Sequence, residues 1–368
     1  MKKRMNRRGF AKAGAAASIG LTMLESAVAA GSETAGSGKR EAEEIEFLDV
    51  RPYQLMCIIC RMGEGRKKNL GDARLDEILA AARENPVRPV RLRLNHESVY
   101  RYQNPGKRED TPEGELFNAK RDLDIIQKLG LVPGDARPAI DMFERIFTNI
   151  STAKGICGYE TLTGDTWKGC PRAKSGNYEK GHALGLGAVI PGRDKQEKAE
   201  FKKTSTEAIY EAKTLRIRPH HLMCMSCFFG GRMDDLAPIQ EDNLFEAIDV
   251  IHKNPDIPVT LIRGTCMICP PCSRYDSKTT FCLGGRSMAL RDQKKDLDVL
   301  QKLGLKYGDT LPARKLYELL FERIPSTRDV CGYGDGKERV PEWSICRGPE
   351  GSEEYRKARE AKLGMDMD

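Results

Sequence analysis

The residues most able to do chemistry in this sequence are its cysteines, twelve among 368 residues and beside only five histidines. Eight of them fall into two matching sets, Cys57, Cys60, Cys157 and Cys170 in the first half and Cys224, Cys227, Cys331 and Cys346 in the second. Four thiolates are what a tetrahedral metal site or one cubane cluster needs. A C-x2-C pair offers two of them from one turn of backbone, so a second pair from the end of the domain closes the site. The second half alone adds Cys266-x2-Cys269-x2-Cys272 and then Cys282. That run has the spacing of bacterial ferredoxin sequences, and Pro270 follows its middle cysteine. His220 and His221, shortly before Cys224, are candidate metal ligands, hydrogen-bond donors to a ligating sulfur, or buried rings capping backbone. Three uses compete for the thiols: iron–sulfur clusters, with [4Fe-4S] the expected type; zinc; and disulfides, which suit an exported protein. Cys266, Cys269 and Cys272 lie too close together to be served easily by three separate long-range bridges.

The second half carries a wider pattern: His220-His221-Leu222-Met223-Cys224, then Cys266-x2-Cys269-Pro270, Cys282, Leu303-Gly304-Leu305 with Gly308-Asp309, and Cys331. In this combination, over about residues 215–346, it resembles an uncharacterised family of small bacterial and archaeal proteins with a His-His-Leu-Leu-Cys motif. That family has been suspected of binding iron–sulfur clusters. The resemblance implies ligands at Cys224, Cys266, Cys269, Cys282 and Cys331, and it implies no activity. The first half departs from the pattern, with Tyr53-Gln54 in place of the two histidines and no cysteine in Leu94-Asn95-His96-Glu97-Ser98.

The elements that must position these residues are written twice. Arg51-Pro-Tyr-Gln-Leu-Met-Cys57 returns as Arg218-Pro-His-His-Leu-Met-Cys224, and Asp122-Leu-Asp-Ile-Ile-Gln-Lys-Leu-Gly-Leu131 as Asp296-Leu-Asp-Val-Leu-Gln-Lys-Leu-Gly-Leu305. Phe143-Glu-Arg-Ile146 matches Phe321-Glu-Arg-Ile324, and Trp167 and Trp343 each stand three residues before a cysteine, where they are expected to shield the site from water. A repeat of about 170 residues suits a pair of domains. Helices are expected over Arg74–Glu84 and Asn243–Lys253, over Glu115–Leu129 and Met288–Leu303, and over Pro138–Ile146 and Pro312–Ile324. In Met288–Leu303 an apolar face is expected through Leu297, Leu300 and Leu303. Short strands are expected over Pro89–Leu94 and Pro258–Ile262. The fold class is α+β, a tandem duplication of one cysteine-rich mixed domain. Its expected organisation is a signal peptide over 1–30, a flexible leader over 31–46, repeats over 47–171 and 214–364, and a linker over 172–213.

The first residues read as an address. Arg7-Arg8-Gly9-Phe10 and Lys12 precede a weakly apolar stretch ending near Ala27-Val28-Ala29, the pattern of a twin-arginine export signal. The formal charge is +7, but removing residues 1–29 takes six basic residues and one acid and leaves 55 against 53. Nucleic-acid binding therefore loses its compositional support. After residue 30 no apolar run approaches the roughly 18 residues that cross a bilayer, so no transmembrane anchor is expected in the mature chain. Phosphate-loop, H-E-x-x-H and G-x-S-x-G motifs are absent. The function these residues suggest is an exported, periplasmic iron–sulfur protein that transfers electrons with a redox partner protein. A zinc-stabilised binding module and a cluster-dependent enzyme are the alternatives, and a histidine ligand would favour the enzyme. Replacing Arg7-Arg8 by Lys-Lys is expected to strand the precursor in the cytoplasm, checked by cell fractionation and immunoblotting; unchanged export through the general secretory route would refute the signal.

Overall fold

In the computed structural model of the chain, residues 46–94, 110–278, 280–284 and 289–366 are described. The expected signal peptide, the expected leader up to residue 45, and Asn95 to Ser98 lie outside these residues. Each half opens with a strand that ends one residue before a buried arginine. In the first half β1 (Leu48–Val50) leads into α1 (Pro52–Gly63), followed by α2 (Ala73–Glu84), β2 (Pro89–Leu92), α3 (Glu115–Leu129), β3 (Ala136–Pro138) and α4 (Ala139–Asn149). Next come α5 (Asn177–Ala183), the single turn α6 (Leu186–Val189) and α7 (Lys195–Tyr210). The second half runs β4 (Leu215–Ile217), α8 (His221–Gly230), α9 (Leu244–Lys253), β5 (Pro258–Leu261), α10 (Leu290–Leu303), β6 (Thr310–Pro312) and α11 (Ala313–Arg323). It ends with the short α12 (Arg328–Cys331) and α13 (Glu353–Glu360). The mixed helix-and-sheet class is α+β, and no helix among the described residues is long and apolar enough to cross a membrane.

Both sheets have three strands and one pattern, in which the middle strand pairs parallel to the first and antiparallel to the third. The registers match, Leu48 facing Val90 and Leu215 facing Val259. Each half has its own apolar core, one drawn from Leu48 to Ile190 and one from Ile209 to Met365. Gly130 and Gly304 end α3 and α10 in the left-handed conformation, as a glycine C-cap does.

One buried arginine fixes each strand-to-helix junction. Arg51 Nε donates to Asp122 Oδ2 of α3 at 2.5 Å, and the Tyr53 backbone N–H donates to Oδ1 at 3.0 Å. Arg218 Nη2 donates to Asp296 Oδ2 of α10 at 2.7 Å, and the His220 N–H to Oδ1 at 3.0 Å. All four charged side chains are buried. Burial works to raise both carboxyls. At Asp296 the His220 ring and then Arg218 overcome it and hold the group below the usual range; at Asp122, which has no ring donor, burial prevails.

Several expectations need correction. Residues 172–213, expected to link the repeats, carry three helices and are divided between the two cores: Tyr178, Val189 and Ile190 belong to the first, Ile209 to the second. Helix α5 packs on α1 as α13 packs on α8. A Cβ on Gly63 would come within 1.8 Å of the Asn177 carbonyl oxygen, and one on Gly230 within 1.8 Å of that of Glu354. Only glycine allows the helices this close. Tyr178 and Tyr355 then donate to the Ile150 and Ile324 carbonyls that cap α4 and α11. The match of Phe143-Glu-Arg-Ile146 with Phe321-Glu-Arg-Ile324 is out of register by one turn, because Pro138 and Pro312 set the starts of α4 and α11 and pair Phe143 with Tyr317. Both arginines nonetheless reach the last carbonyl of the preceding long helix, Arg145 to Leu129 and Arg323 to Leu303. Leu297, expected on the apolar face of α10, is 55% exposed; Val299, Leu300 and Leu303 form that face.

The two halves meet through a buried ionic contact, in which Glu342 bonds Arg145 and lies 3.4 Å from Arg137, and Arg145 also holds Asp141. Removing one partner of a buried pair strands the other charge. Asp122→Ala and Asp296→Ala are each expected to destabilise the chain by roughly 3–5 kcal/mol, read as a lower urea midpoint; a change within experimental error would show that the junctions do not depend on these carboxylates.

Candidate metal–thiolate sites

Helix α1 presents Cys57 and Cys60 one turn apart, and the chain returns after α4 to add the other two thiols of the first half. The Cys170 N–H donates to the Cys157 carbonyl at 2.8 Å. This tight return requires Gly169, where a Cβ would stand 2.7 Å from that same carbonyl oxygen. All four cysteines line one cavity of about 420 Å³, together with Arg121 and Tyr53. Burial raises three of them, Cys57 to about 11, Cys60 to about 12 and Cys157 further still. At Cys57 and Cys157 the cation acting against burial most strongly is Arg121.

The corresponding thiols of the second half also gather. The Cys346 N–H approaches the Cys331 carbonyl at 3.4 Å, and Cys224 feels the charges of Cys227, Cys331 and Cys346. Burial lifts Cys227 to about 11, against a hydrogen bond with Ser352, and Cys331 to about 12, against Lys295.

The additional cysteines form a coil of successive turns after β5. The Cys269 N–H donates to the Cys266 carbonyl at 3.0 Å and the Cys272 N–H to the Cys269 carbonyl at 2.9 Å. Cys266 Sγ lies 3.8 Å from Cys269 Sγ and 3.1 Å from His221 Nδ1. Among the described residues these three form the one group of His, Cys or acidic side chains whose ligand atoms all fall within 4.8 Å. Burial opposes the ionisation of Cys266, but the Cys269 thiol, the backbone N–H groups of Arg218 and Ile268, and the Arg218 charge hold it below its ordinary value. Its bond to Cys266 and its burial push Cys269 well up. Cys224, Cys269, Cys272, Cys282 and His221 line a second cavity of about 560 Å³. Cys224 thus faces this cavity while remaining coupled to Cys227, Cys331 and Cys346.

The two adjacent histidines have separate roles. His220 Nδ1 donates to Asp296 at 2.7 Å, and burial pushes its ring down to about 4; it belongs to the Arg218 junction. His221 alone reaches a thiol. Trp167 and Trp343, expected to shield the cysteines, pack edge-on against Tyr159 and Tyr333 and line neither cavity. No disulfide joins any of the twelve cysteines. Sequence reasoning missed Arg193, which donates to the carbonyls of Pro270 at 2.6 Å and Cys272 at 2.9 Å and so clamps the cysteine coil. It sits in the segment expected to be a linker, where no motif marks it. It also missed Arg121 and Lys295, whose signal was a basic residue before each of the matching aspartates.

No protein-family model matches the chain, and neither does any curated protein or solved structure. The geometry therefore carries the chemical argument. Cobalt(II) bound through thiolates absorbs visibly, so uptake can be counted. His221→Ala and Cys266→Ser are each expected to reduce cobalt bound per chain by about one ion, since each removes a ligand from a three-ligand group; His220→Ala is expected to leave cobalt uptake intact while lowering thermal stability. Full uptake in His221→Ala would remove the histidine from the site.

Proposed function

We propose that the chain is an exported iron–sulfur protein that exchanges electrons with a redox partner protein. The observation that supports this most is how the sulfurs are spread. Cys57, Cys60, Cys157 and Cys170 surround one cavity of about 420 Å³, and Cys224, Cys269, Cys272 and Cys282 surround another of about 560 Å³. A zinc–thiolate bond of about 2.3 Å requires sulfurs about 3.8 Å apart. Neither set contains three thiols that close together, because the one compact group among the described residues is His221, Cys266 and Cys269. A cubane puts iron and sulfide between its thiolates, so cysteines around a void fit it better than they fit one ion. In the first half the ligands would be the four shared cysteines. In the second they would come from Cys269, Cys272 and Cys282, with Cys266 or His221 as the fourth; the family resemblance implies an overlapping set that includes Cys224. A bound cluster supplies one-electron exchange. The protein supplies burial, the hydrogen bonds of the cysteine coil and nearby arginines, which set the potential. Twin-arginine export carries folded proteins, so insertion of the cluster in the cytoplasm is compatible with this reading.

A second reading has its own observation. The 3.8 Å separation of Cys266 and Cys269, with His221 at 3.1 Å, suits a single zinc ion. Anaerobic purification followed by iron, sulfide and zinc analysis separates the two. Iron and sulfide in near-equal amounts, with broad visible absorption and less iron in Cys269→Ser, is the expected result. Zinc at about one per chain without sulfide would favour the second reading, and no bound metal would overturn both.

A further inference from the structure

Among the described residues two buried cations have no carboxylate partner. Arg121 on α3 and Lys295 on α10 directly precede Asp122 and Asp296, so the matching buried aspartates put them at equivalent places; they are 1% and 4% exposed. A buried charge is costly unless an opposite charge meets it. Among the described residues no carboxylate oxygen comes within 4.0 Å of either. Asp292, one turn before Lys295, lies beyond that distance. Arg121 is held by neutral groups: Nη2 bonds the Asn118 side-chain oxygen and meets Thr111 Oγ1 at 3.4 Å, and the guanidinium lies 4.1 Å from the Tyr53 ring centre. Its Nε is buried and has no acceptor among the described residues. The same side chain lines the first-half cavity beside all four cysteines. Lys295 is likewise within electrostatic reach of Cys224 and Cys331, which match Cys57 and Cys157. The residue type changes between the halves, yet the positive charge and the thiols it faces do not. A planar fork built for an oxyanion ligand would not be replaced by lysine so readily. A point charge opposite anionic sulfur accepts either.

We propose that Arg121 and Lys295 are counter-ions to two anionic thiolate-ligated centres, one on Cys57, Cys60, Cys157 and Cys170 and one on Cys224, Cys227, Cys331 and Cys346. Both shared foursomes, and not only the additional cysteines of the second half, then bind metal. The inference rests on the cluster-binding reading above. Four thiolates outweigh the charge of a [4Fe-4S] core and leave a net anion, which a buried cation stabilises. Reduction adds one further negative charge, so the cation also raises the potential of its centre. Arg121 and Lys295 act as positioning and charge-compensating residues and are not themselves ligands.

The test uses the full chain, loaded anaerobically with iron and sulfide, in wild type, Arg121→Met, Lys295→Met, Arg121→Lys and Lys295→Arg. Each methionine variant is expected to shift one centre to a more negative midpoint in a redox titration and to release its iron to a chelator roughly ten-fold faster or more, the scale of losses on removing an outer partner of a metal site. Arg121→Lys and Lys295→Arg are expected to behave as wild type, because charge is what is required. In metal-free protein Arg121→Met should be at least as stable to heat as wild type, since it removes a buried charge with nothing to meet it. Wild type that holds no iron or sulfide would defeat the cluster-binding reading and this inference together. Iron-loaded wild type with unchanged potential and iron retention in both methionine variants would overturn this inference alone. So would failure of Arg121→Lys alongside Arg121→Met, or a metal-free Arg121→Met less stable than wild type, which would make the guanidinium part of the fold.

Discussion

In each half a buried arginine at the end of the first strand reaches a buried aspartate on a long helix, and the position of the first C-x2-C pair follows from that contact. Arg51 with Asp122, and Arg218 with Asp296, fix where the C-x2-C helix begins and how it is turned relative to the sheet. The backbone N–H of Tyr53 or His220 occupies the second carboxylate oxygen, so the first turn of the helix cannot rotate without breaking two bonds at once. A pair of this kind is weak as a source of net stability, but once present neither partner can leave cheaply. The residue before each aspartate is then carried toward the thiols, and that is how Arg121 and Lys295 come to face sulfur.

The halves share this frame and differ in what they hang on it. Where the first half has Gln54, whose side chain accepts from the Arg51 N–H, the second has His221, whose ring meets Cys266. Where the first has Tyr53, the second has His220, which adds a ring donor to the buried aspartate and makes Asp296 the more acidic group. The cysteine coil of the second half is short and rich in proline, and it relies on Arg193, from just before α7, to hold the carbonyls at its centre. One half thus offers a single set of four thiols around a cavity. The other offers the matching set, plus a second group that shares Cys224 with it and includes an imidazole.

Charge explains why the thiols need partners. Burial pushes Cys57, Cys60, Cys227, Cys282 and Cys331 to about 11 or 12, so each holds its proton near neutrality until something replaces it. Cys266 departs from this because two backbone N–H groups, a neighbouring thiol and Arg218 all favour its thiolate. A metal bound there would have to release protons from the others, which would couple its loading to the electrostatics of the surrounding helices.

The sequence by itself determined the α+β class, six of the thirteen α-helices among the described residues to within a few residues, the middle strand of each sheet, and the correspondence of cysteines between the halves. Those features are local or repeated: Asn-Pro stops, glycine caps and C-x2-C spacing act within a few residues, and a repeated motif needs no fold to be seen. What only the tertiary structure decided depends on contacts between distant residues. Leu297 fits an apolar helical stripe, but the face of α10 that meets the core runs through Val299 instead. The segment 172–213 has a linker's composition, yet Gly63 lets α5 dock against α1 at backbone distance and draws Tyr178 into the core. The two adjacent histidines are equivalent in the sequence; a helix start turns one toward Asp296 and the other toward Cys266. Trp167 and Trp343 lie near cysteines in the chain but line neither cavity, and the indoles pack on Tyr159 and Tyr333. Sequence separation sets which residues can be neighbours, while the direction of each side chain is settled by the packing of elements that the chain brings together only on folding.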